Sequence, residues 1–257
     1  MRLFDSHSHL DAPEFAADRH AVLDRSLAAG VIAQLVPAVD HDSWAGLRDT
    51  CAMHPGLHAA YGLHPMYLER HQPGHLRALG DWIARERPCA IGECGLDHFV
   101  EGLDPAAQRF YFDGQLALAR DFDLPVVLHA RRAVEETILA LRGVGGLRGV
   151  VHSFSGSEEQ ARQLFDLGFC IGIGGPVTYD RARRIRRVVA TMPLEFLLLE
   201  TDAPDQPNAA HRGERNEPAL LVEVLHAVAQ VREASPASVA DATFANACRL
   251  FGLAAPV

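Results

Sequence analysis

Eight short apolar segments, each long enough for a β-strand, recur along the 257-residue chain and restrict its fold more than any other feature. They fall at residues 2–7, 31–39, 58–64, 89–94, 125–130, 149–154, 169–175 and 195–202. Apolar and β-branched runs of this length, bounded by glycine, proline and polar residues, are typical of buried strands. We therefore predict eight strands.

Stretches with helical periodicity separate these segments. Ser157 with Gln160 matches a capping box, which predicts a helix start at this point. Asp104 followed by Pro105 is a second cap and first-turn pair, which predicts a helix through about Ala119. The chain thus alternates strands with helices along its whole length.

Alternation of this kind indicates a parallel sheet, and eight units are the number that closes a (β/α)8 TIM barrel. We predict an α/β fold with one barrel domain over residues 1–257. The alternative is an open doubly wound sheet, but the sequence has neither GxGxxG after its first strand nor GxxxxGK[ST].

Composition excludes several classes of protein. Hydrophobic residues make up 48% and charged residues 22%, which is too apolar for a disordered chain. The net charge of −9 gives no global attraction to nucleic acid or to a membrane, so a polyanionic substrate needs local positive charge. No apolar run approaches a membrane span, and we expect a cytoplasmic protein. Five widely spaced cysteines fit reduced thiols: Cys51, Cys89, Cys94, Cys170 and Cys248.

The motif FDSHSHLD lies at the end of the first segment. In a strand, residues two apart point to the same side, so His7 and His9 aim at one point. Two convergent imidazoles are typical of a metal site, although an isolated HxH pair also occurs by chance.

The other predicted strands end in residues of the same chemical type. A barrel of this class has its active site at the C-terminal ends of the strands. A lone histidine there is more often a structural residue, but Glu93 in an apolar strand carries a desolvation cost unless a cation or donor meets it. Taken together, six of these strand-end residues predict a metal site: His7, His9, Glu93, His129, His152 and Asp202. His64 ends the third segment in an equivalent place.

The chain resembles the TatD family of metal-dependent deoxyribonucleases, within the amidohydrolase-like barrels. The matching segments cover almost the full length: FDSHSHLD, YGLHP, AIGECGLD, QRFYFDGQLALARDFDLPVVLHAR, VHSFSG, LLLETDAP, RGERNEP and NACRLFGL. The resemblance implies that one to three divalent metals are bound, with Glu93 bridging a pair, by His7, His9, Glu93, His129, His152 and Asp202.

Six ligands suit two metals that share a carboxylate and activate a water for attack on a phosphodiester. We assign His7, His9 and Asp202 to one metal and His129 with His152 to the other, with Glu93 between them. Glu93 and Asp202 are then the catalytic carboxylates, Asp202 also serving as base. Four imidazoles favour zinc, manganese, iron or nickel over magnesium, whereas the resemblance implies magnesium or manganese.

Four further residues are candidates for substrate contact. His64 is placed to donate to a phosphate or to hold a metal ligand, and the alternative is a loop histidine before Pro65. Arg131 is a phosphate contact or a surface arginine. Arg215 and Asn216 of the RNEP motif contact substrate or fix the last loop.

The run RARRIRR at residues 181–187 has two interpretations: a strip of arginines that contacts a DNA backbone near the mouth of the barrel, or a solvated helix face. Exposed aromatic rings for base stacking are scarce: the candidates are Trp44, Tyr67, Phe99 and Tyr179.

Three hypotheses for function follow. The first is a deoxyribonuclease acting on single strands or 3′ ends; the second is a hydrolase of a small amide, ester or phosphoester; the third is a metal-binding interaction protein without turnover. Departures from the family pattern add acid or remove stacking surface beside the site, which weakens the case for DNA: His98, Asp180, Asp205 and Glu214.

Overall fold

The structure is a computed structural model that describes residues 1–254. Its eight strands pair in parallel and in chain order, and Ser6 N–H donates to the Leu199 carbonyl over 2.9 Å, which brings the last strand beside the first. The predicted α/β barrel is confirmed. The strands are β1 (Leu3–Asp5), β2 (Val31–Pro37), β3 (Leu57–Tyr61), β4 (Ala90–Asp97), β5 (Val126–Arg131), β6 (Gly149–Val151), β7 (Phe169–Ile173) and β8 (Leu197–Leu199).

Helices follow the strands and cover the outside of the barrel. They are α1 (Arg19–Ala28), α2 (Trp44–Cys51), α3 (Gly74–Glu86), α4 (Pro105–Asp121), α5 (Val134–Val144), α6 (Glu158–Asp166), α7 (Arg183–Thr191), α8 (Leu221–Val231) and α9 (Pro236–Phe251). Both predicted helix starts are confirmed. Ser157 and Gln160 exchange the two hydrogen bonds of a capping box, and the Asp104 carboxylate accepts from Ala106 N–H.

Helix α9 closes the bottom of the barrel. Its residues Phe244, Leu250 and Phe251 pack against inward-facing strand residues such as Phe4 and Val127. Burial of these side chains seals the end at which the strands begin. The opposite end, where the strands finish, remains open to ligands. No helix within residues 1–254 has the length and apolarity needed to cross a membrane.

Most strand boundaries differ from the predicted ones by a few residues, and two of these differences bear on the site. β1 ends at Asp5, so His7 and His9 lie in the loop after the strand and not on it. That loop is held by backbone bonds, because Asp202 N–H donates to His7 O and His9 N–H donates to Ala203 O. β4 continues to Asp97, beyond the predicted end at residue 94.

Candidate active site

A buried carboxylate lies at the centre of the open end of the barrel. Glu93, 1% exposed, has four imidazole nitrogens between 2.8 and 3.0 Å from its oxygens. Oε2 faces His7 Nε2, and Oε1 faces His64 Nε2, His129 Nδ1 and His152 Nε2. Residues from four separate loops and strands therefore meet at one side chain.

His9 and Asp202 complete the group on one side of Glu93. The Nε2 atoms of His7 and His9 lie 3.3 Å apart. Asp202 Oδ1 is 3.6 Å from His7 Nε2 and 3.7 Å from His9 Nε2. The structure thus brings together all six side chains for which the sequence predicts metal binding.

Two glycines permit this convergence. A Cβ on Gly95, whose φ is +141°, would lie 2.0 Å from the His129 carbonyl oxygen, so only glycine lets β4 approach β5 this closely. A Cβ on Gly172 would lie 1.9 Å from Oε2 of Glu200, so glycine here leaves room for this buried carboxyl group beside the site. Backbone proximity therefore sets the positions of Glu93 and His129.

The electrostatics of the metal-free site are those of a carboxylate surrounded by imidazoles. Burial opposes ionisation of Glu93, but His152, His64 and His7 outweigh it and hold the pKa of Glu93 well below its usual range. Burial likewise opposes the charge on His152, but Glu93 raises the pKa of His152 to about 10. Burial, together with His152, lowers the pKa of His7 to about 4. Protons are thus unequally shared among the ligand-type nitrogens.

Asp97 was not among the residues that the sequence singled out. Its Oδ2 lies 2.8 Å from His129 Nε2, and its Oδ1 accepts from the Phe99 and Val100 N–H groups. Because the carboxylate accepts a hydrogen from Nε2, the neutral ring has its lone pair on Nδ1, which faces Glu93. Burial opposes the charge of Asp97, but these donors lower its pKa.

His64 faces Glu93 with the other ring nitrogen, the one that carries the hydrogen in the neutral ring. Its Nδ1 accepts from Met66 N–H over 3.1 Å, so the hydrogen of the neutral ring lies on Nε2, 3.0 Å from Glu93 Oε1. Burial lowers the pKa of His64, which favours the neutral ring. His64 is therefore a hydrogen-bond donor to Glu93.

Asp5 and Glu200 are further buried carboxyl groups beside the site that sequence reasoning did not find. Asp5 accepts from His7 N–H, Thr201 N–H and the Thr201 hydroxyl, and so ties the His7 loop to the Asp202 loop. Burial raises the pKa of Asp5 to about 7 and that of Glu200 to about 8. Glu200 precedes Asp202 in the LLLETD segment, and its Oε1 accepts from Ser153 N–H.

The donor set fits divalent metal ions. Three groups of ligand atoms each lie within 4.8 Å of one another: His7, Glu93 and His152; His7, His9 and Asp202; His64, Glu93 and His129. Imidazole nitrogens mixed with carboxylate oxygens suit zinc and other first-row metals. The His129 lone pair fixed by Asp97 is the arrangement common to metal-binding histidines.

The cluster lies in a cavity of about 1530 Å³ at the mouth of the barrel. Arg131 lines this cavity, and its guanidinium carbon is 3.6 Å from the ring centre of Phe99, which is 44% exposed. His64 and Tyr67 also line it. Trp44, in contrast, is 1% exposed and donates to the Gly62 carbonyl, so it has no surface for a substrate.

Arg215 and Asn216, for which the sequence predicts substrate binding, lie outside the residues that line the cavity. Arg215 donates to Asp18 and Glu217. Asn216 is buried and donates to the carbonyls of the loop after β8. The structure gives both residues partners that fix loops, which is one of the two roles expected from the RNEP motif.

The barrel and its convergent imidazoles and carboxylates are those of a metal-dependent hydrolase. Residues 4–252 match the family described as TatD related DNase. The chain belongs to the TatD family.

Known relatives cover the chain almost completely. It is 40% identical over 256 residues to the uncharacterized metal-dependent hydrolase YjjV of Escherichia coli, covering 98% of each chain. The crystal structure of YjjV superposes with a TM-score of 0.95 at 38% identity, covering 98% of this chain and 99% of that one. The chain is also 35% identical to the 3′-5′ ssDNA/RNA exonuclease TatD of Yersinia pseudotuberculosis, covering 98% of this chain and all of the relative.

Proposed function

We propose that the protein is a deoxyribonuclease that hydrolyses phosphodiester bonds at the 3′ ends of single-stranded DNA. The observation that carries this proposal is the convergence of five other metal-ligand side chains around Glu93 in a wide cavity that Arg131 also lines. The similarity to a 3′-5′ exonuclease over the full chain supports it.

In this proposal His7, His9 and Asp202 would hold one divalent metal, His129 and His152 would hold a second, and Glu93 would serve both. When bound, the metals supply Lewis-acid polarisation of the phosphodiester and activation of water. Zinc or manganese fits the imidazole-rich set.

The chain's own residues have separate roles. Asp202 accepts the proton of the attacking water, because its carboxylate is part of the cluster and is reached from the cavity. His64 orients Glu93 through its Nε2 hydrogen. Arg131, held flat against Phe99, donates to a phosphate oxygen of the substrate.

A second candidate function is hydrolysis of a small phosphoester, ester or amide by the same cluster. The observation that favours it is the set of five carboxylates that also line the cavity: Asp11, Glu14, Asp40, Asp42 and Asp205. Carboxylates repel a polyanion, whereas a small substrate need not approach them.

The test is hydrolysis of a 5′-labelled single-stranded oligonucleotide by chelator-treated protein to which magnesium, manganese or zinc is restored. We expect stepwise shortening from the 3′ end with one of these metals, and its loss in Glu93→Gln and in Asp202→Asn. The matched control is Glu159→Gln, which makes the same change at an exposed position on α6 and is expected to keep full activity. If the oligonucleotide stays intact with every metal although the protein binds metal, the deoxyribonuclease proposal is wrong and small-molecule hydrolysis becomes the favoured function.

A further inference from the structure

Charge is divided between two sides of the cavity mouth. The loops after β8, β1 and β2 contribute what we term the carboxylate rim: Asp11, Glu14, Asp40, Asp42 and Asp205. The segments after β5 and β7 contribute the arginine rim: Arg131, Arg181, Arg183 and Arg184. In an eight-stranded barrel with strands in chain order, β1 lies opposite β5, so Arg131 faces the loop after β1 across the metal cluster. β7 adjoins β8, so the segment with Arg181, Arg183 and Arg184 meets the carboxylate rim at the Asp205 loop. The two rims therefore occupy separate arcs of the mouth.

The arginine rim has no carboxylate partners of its own. Within residues 1–254, none of its four guanidinium groups forms an ion pair. Arg186 and Arg187 of the same run are engaged instead, by the Val177 carbonyl and by Glu158. Unpaired guanidinium groups beside a cavity are available to phosphate oxygens.

Aromatic rings accompany these arginines. Phe99 lies under Arg131, and Tyr179 lies 5.5 Å from the guanidinium carbon of Arg181. In proteins that bind single-stranded nucleic acid, aromatic rings stack on the bases and cationic side chains contact the backbone phosphates.

The carboxylate rim remains largely uncompensated. Arg70 pairs with Asp40 over 2.9 Å. In the part of the chain that the structure describes, Asp42 forms an ion pair with His41 alone, and Oδ1 of Asp11 has no hydrogen-bond partner. Carboxylates accept hydrogen bonds from hydroxyl and amino groups and repel phosphate. This side of the mouth suits an uncharged nucleoside.

Resting on the proposed function, we propose that the two rims select which end of the substrate enters the site. The DNA strand lies over the arginine rim. The carboxylate rim receives a terminal nucleoside with a free hydroxyl and repels a terminal phosphate. A strand that crossed the mouth would place phosphates on both rims, so an internal bond is a poor substrate. The carboxylates that weaken the case for DNA in general thus favour one kind of DNA substrate, an unphosphorylated 3′ end.

The direct test measures binding without turnover. The probe is a 5′-fluorescein single strand of about eight nucleotides with phosphorothioate linkages, which keep the charge and resist hydrolysis. Fluorescence anisotropy compares a 3′-hydroxyl with a 3′-phosphate on the metal-loaded protein. We expect the 3′-hydroxyl strand to bind about tenfold more tightly. Equal affinities, or no binding of either strand, would overturn the proposal.

Charge-neutral substitutions assign the effect to the rims. We expect Asp42→Asn with Asp205→Asn to reduce the preference to less than about twofold. The control is Asp113→Asn with Asp121→Asn on the outer helix α4, which changes net charge equally and keeps the full preference. An equal loss in the control pair would show that overall charge, and not the rim, is responsible.

Arginine substitution tests the other side. Arg184→Gln is expected to weaken binding of both strands about fivefold, while Arg142→Gln, on exposed α5 away from the cavity, leaves it unchanged. Identical affinities for these two variants would contradict the arginine rim. If the protein prefers the 3′-hydroxyl strand in binding but does not hydrolyse the ordinary phosphodiester strand, the proposed nuclease activity is wrong and the end selection by the rims stands.

Discussion

The His129 imidazole shows how a single carboxylate sets up a metal ligand. Asp97 accepts a hydrogen from Nε2 and is itself held by two backbone N–H groups, so the ring and its tautomer are fixed before metal binds. The amide of Asp97→Asn has one oxygen and lacks the charge that favours this arrangement. We expect the substitution to lower the affinity for one of the bound metals about 10- to 100-fold, measured by competition with a chromogenic chelator.

Asp113→Asn, an exposed site on α4 paired with Arg109, is the matched control and should bind metal like the unchanged protein. A structural role for Asp97 would instead lower the melting temperature of the metal-free chain with no change in metal affinity. That outcome would refute Asp97 as a positioning residue.

Individual site residues differ in how well the sequence predicts them. Glu93 is recognisable because a carboxylate in an apolar strand needs a partner. Asp97 is not predicted as a site residue because the apolar pattern of the fourth segment stops at residue 94, whereas β4 pairs with β5 as far as Asp97. Arg215 and Asn216 follow from a motif, and a motif does not show which loop groups their side chains bind.

Among the strands, β4 and β5 depend on a position without a side chain. Alanine at Gly95 would place its Cβ 2.0 Å from the His129 carbonyl oxygen, at a φ of +141° that L-residues rarely adopt. We expect Gly95→Ala to lower the free energy of unfolding by at least about 2 kcal/mol in urea denaturation.

Gly46→Ala is the comparison, because Gly46 lies in α2 and its added Cβ would meet nothing within 4 Å. Helix propensity predicts a gain in stability of up to about 1 kcal/mol there. Comparable losses at both positions would contradict the close approach of β4 to β5.

Strand and helix identities are predicted well because burial and capping are local signals. The capping box at Ser157 lies within four residues and is confirmed. The end of β1 is not predicted, because it depends on the bonds that residues 7 and 9 make to residues 202 and 203, almost two hundred residues away. Long-range backbone pairing leaves no local trace in sequence.

For the protein as a whole, metal uptake and proton release are coupled. Glu93 raises the pKa of His152 to about 10 in the metal-free chain, so His152 is protonated at pH 7 and 8. A metal binds only neutral imidazole, so binding displaces this proton. Metal affinity should therefore rise with pH from 6 towards 9, and loading the unbuffered protein at pH 8 should release at least about one proton per chain.

A pH-stat titration measures that release, and Glu93→Gln provides the contrast because its neutral amide no longer raises the pKa of His152. We expect the variant to release fewer protons at the same pH. Metal affinity independent of pH over this range would show that the imidazoles are not the ligands.

The most direct measurement of the proposed site is anomalous diffraction from a crystal of the manganese-loaded protein. We expect two peaks, one on each side of the Glu93 carboxylate, with His7, His9 and Asp202 around one and His129 and His152 around the other. Peaks away from Glu93, or metal bound in solution with no peak at this cluster, would contradict the metal centre and the hydrolytic function built on it.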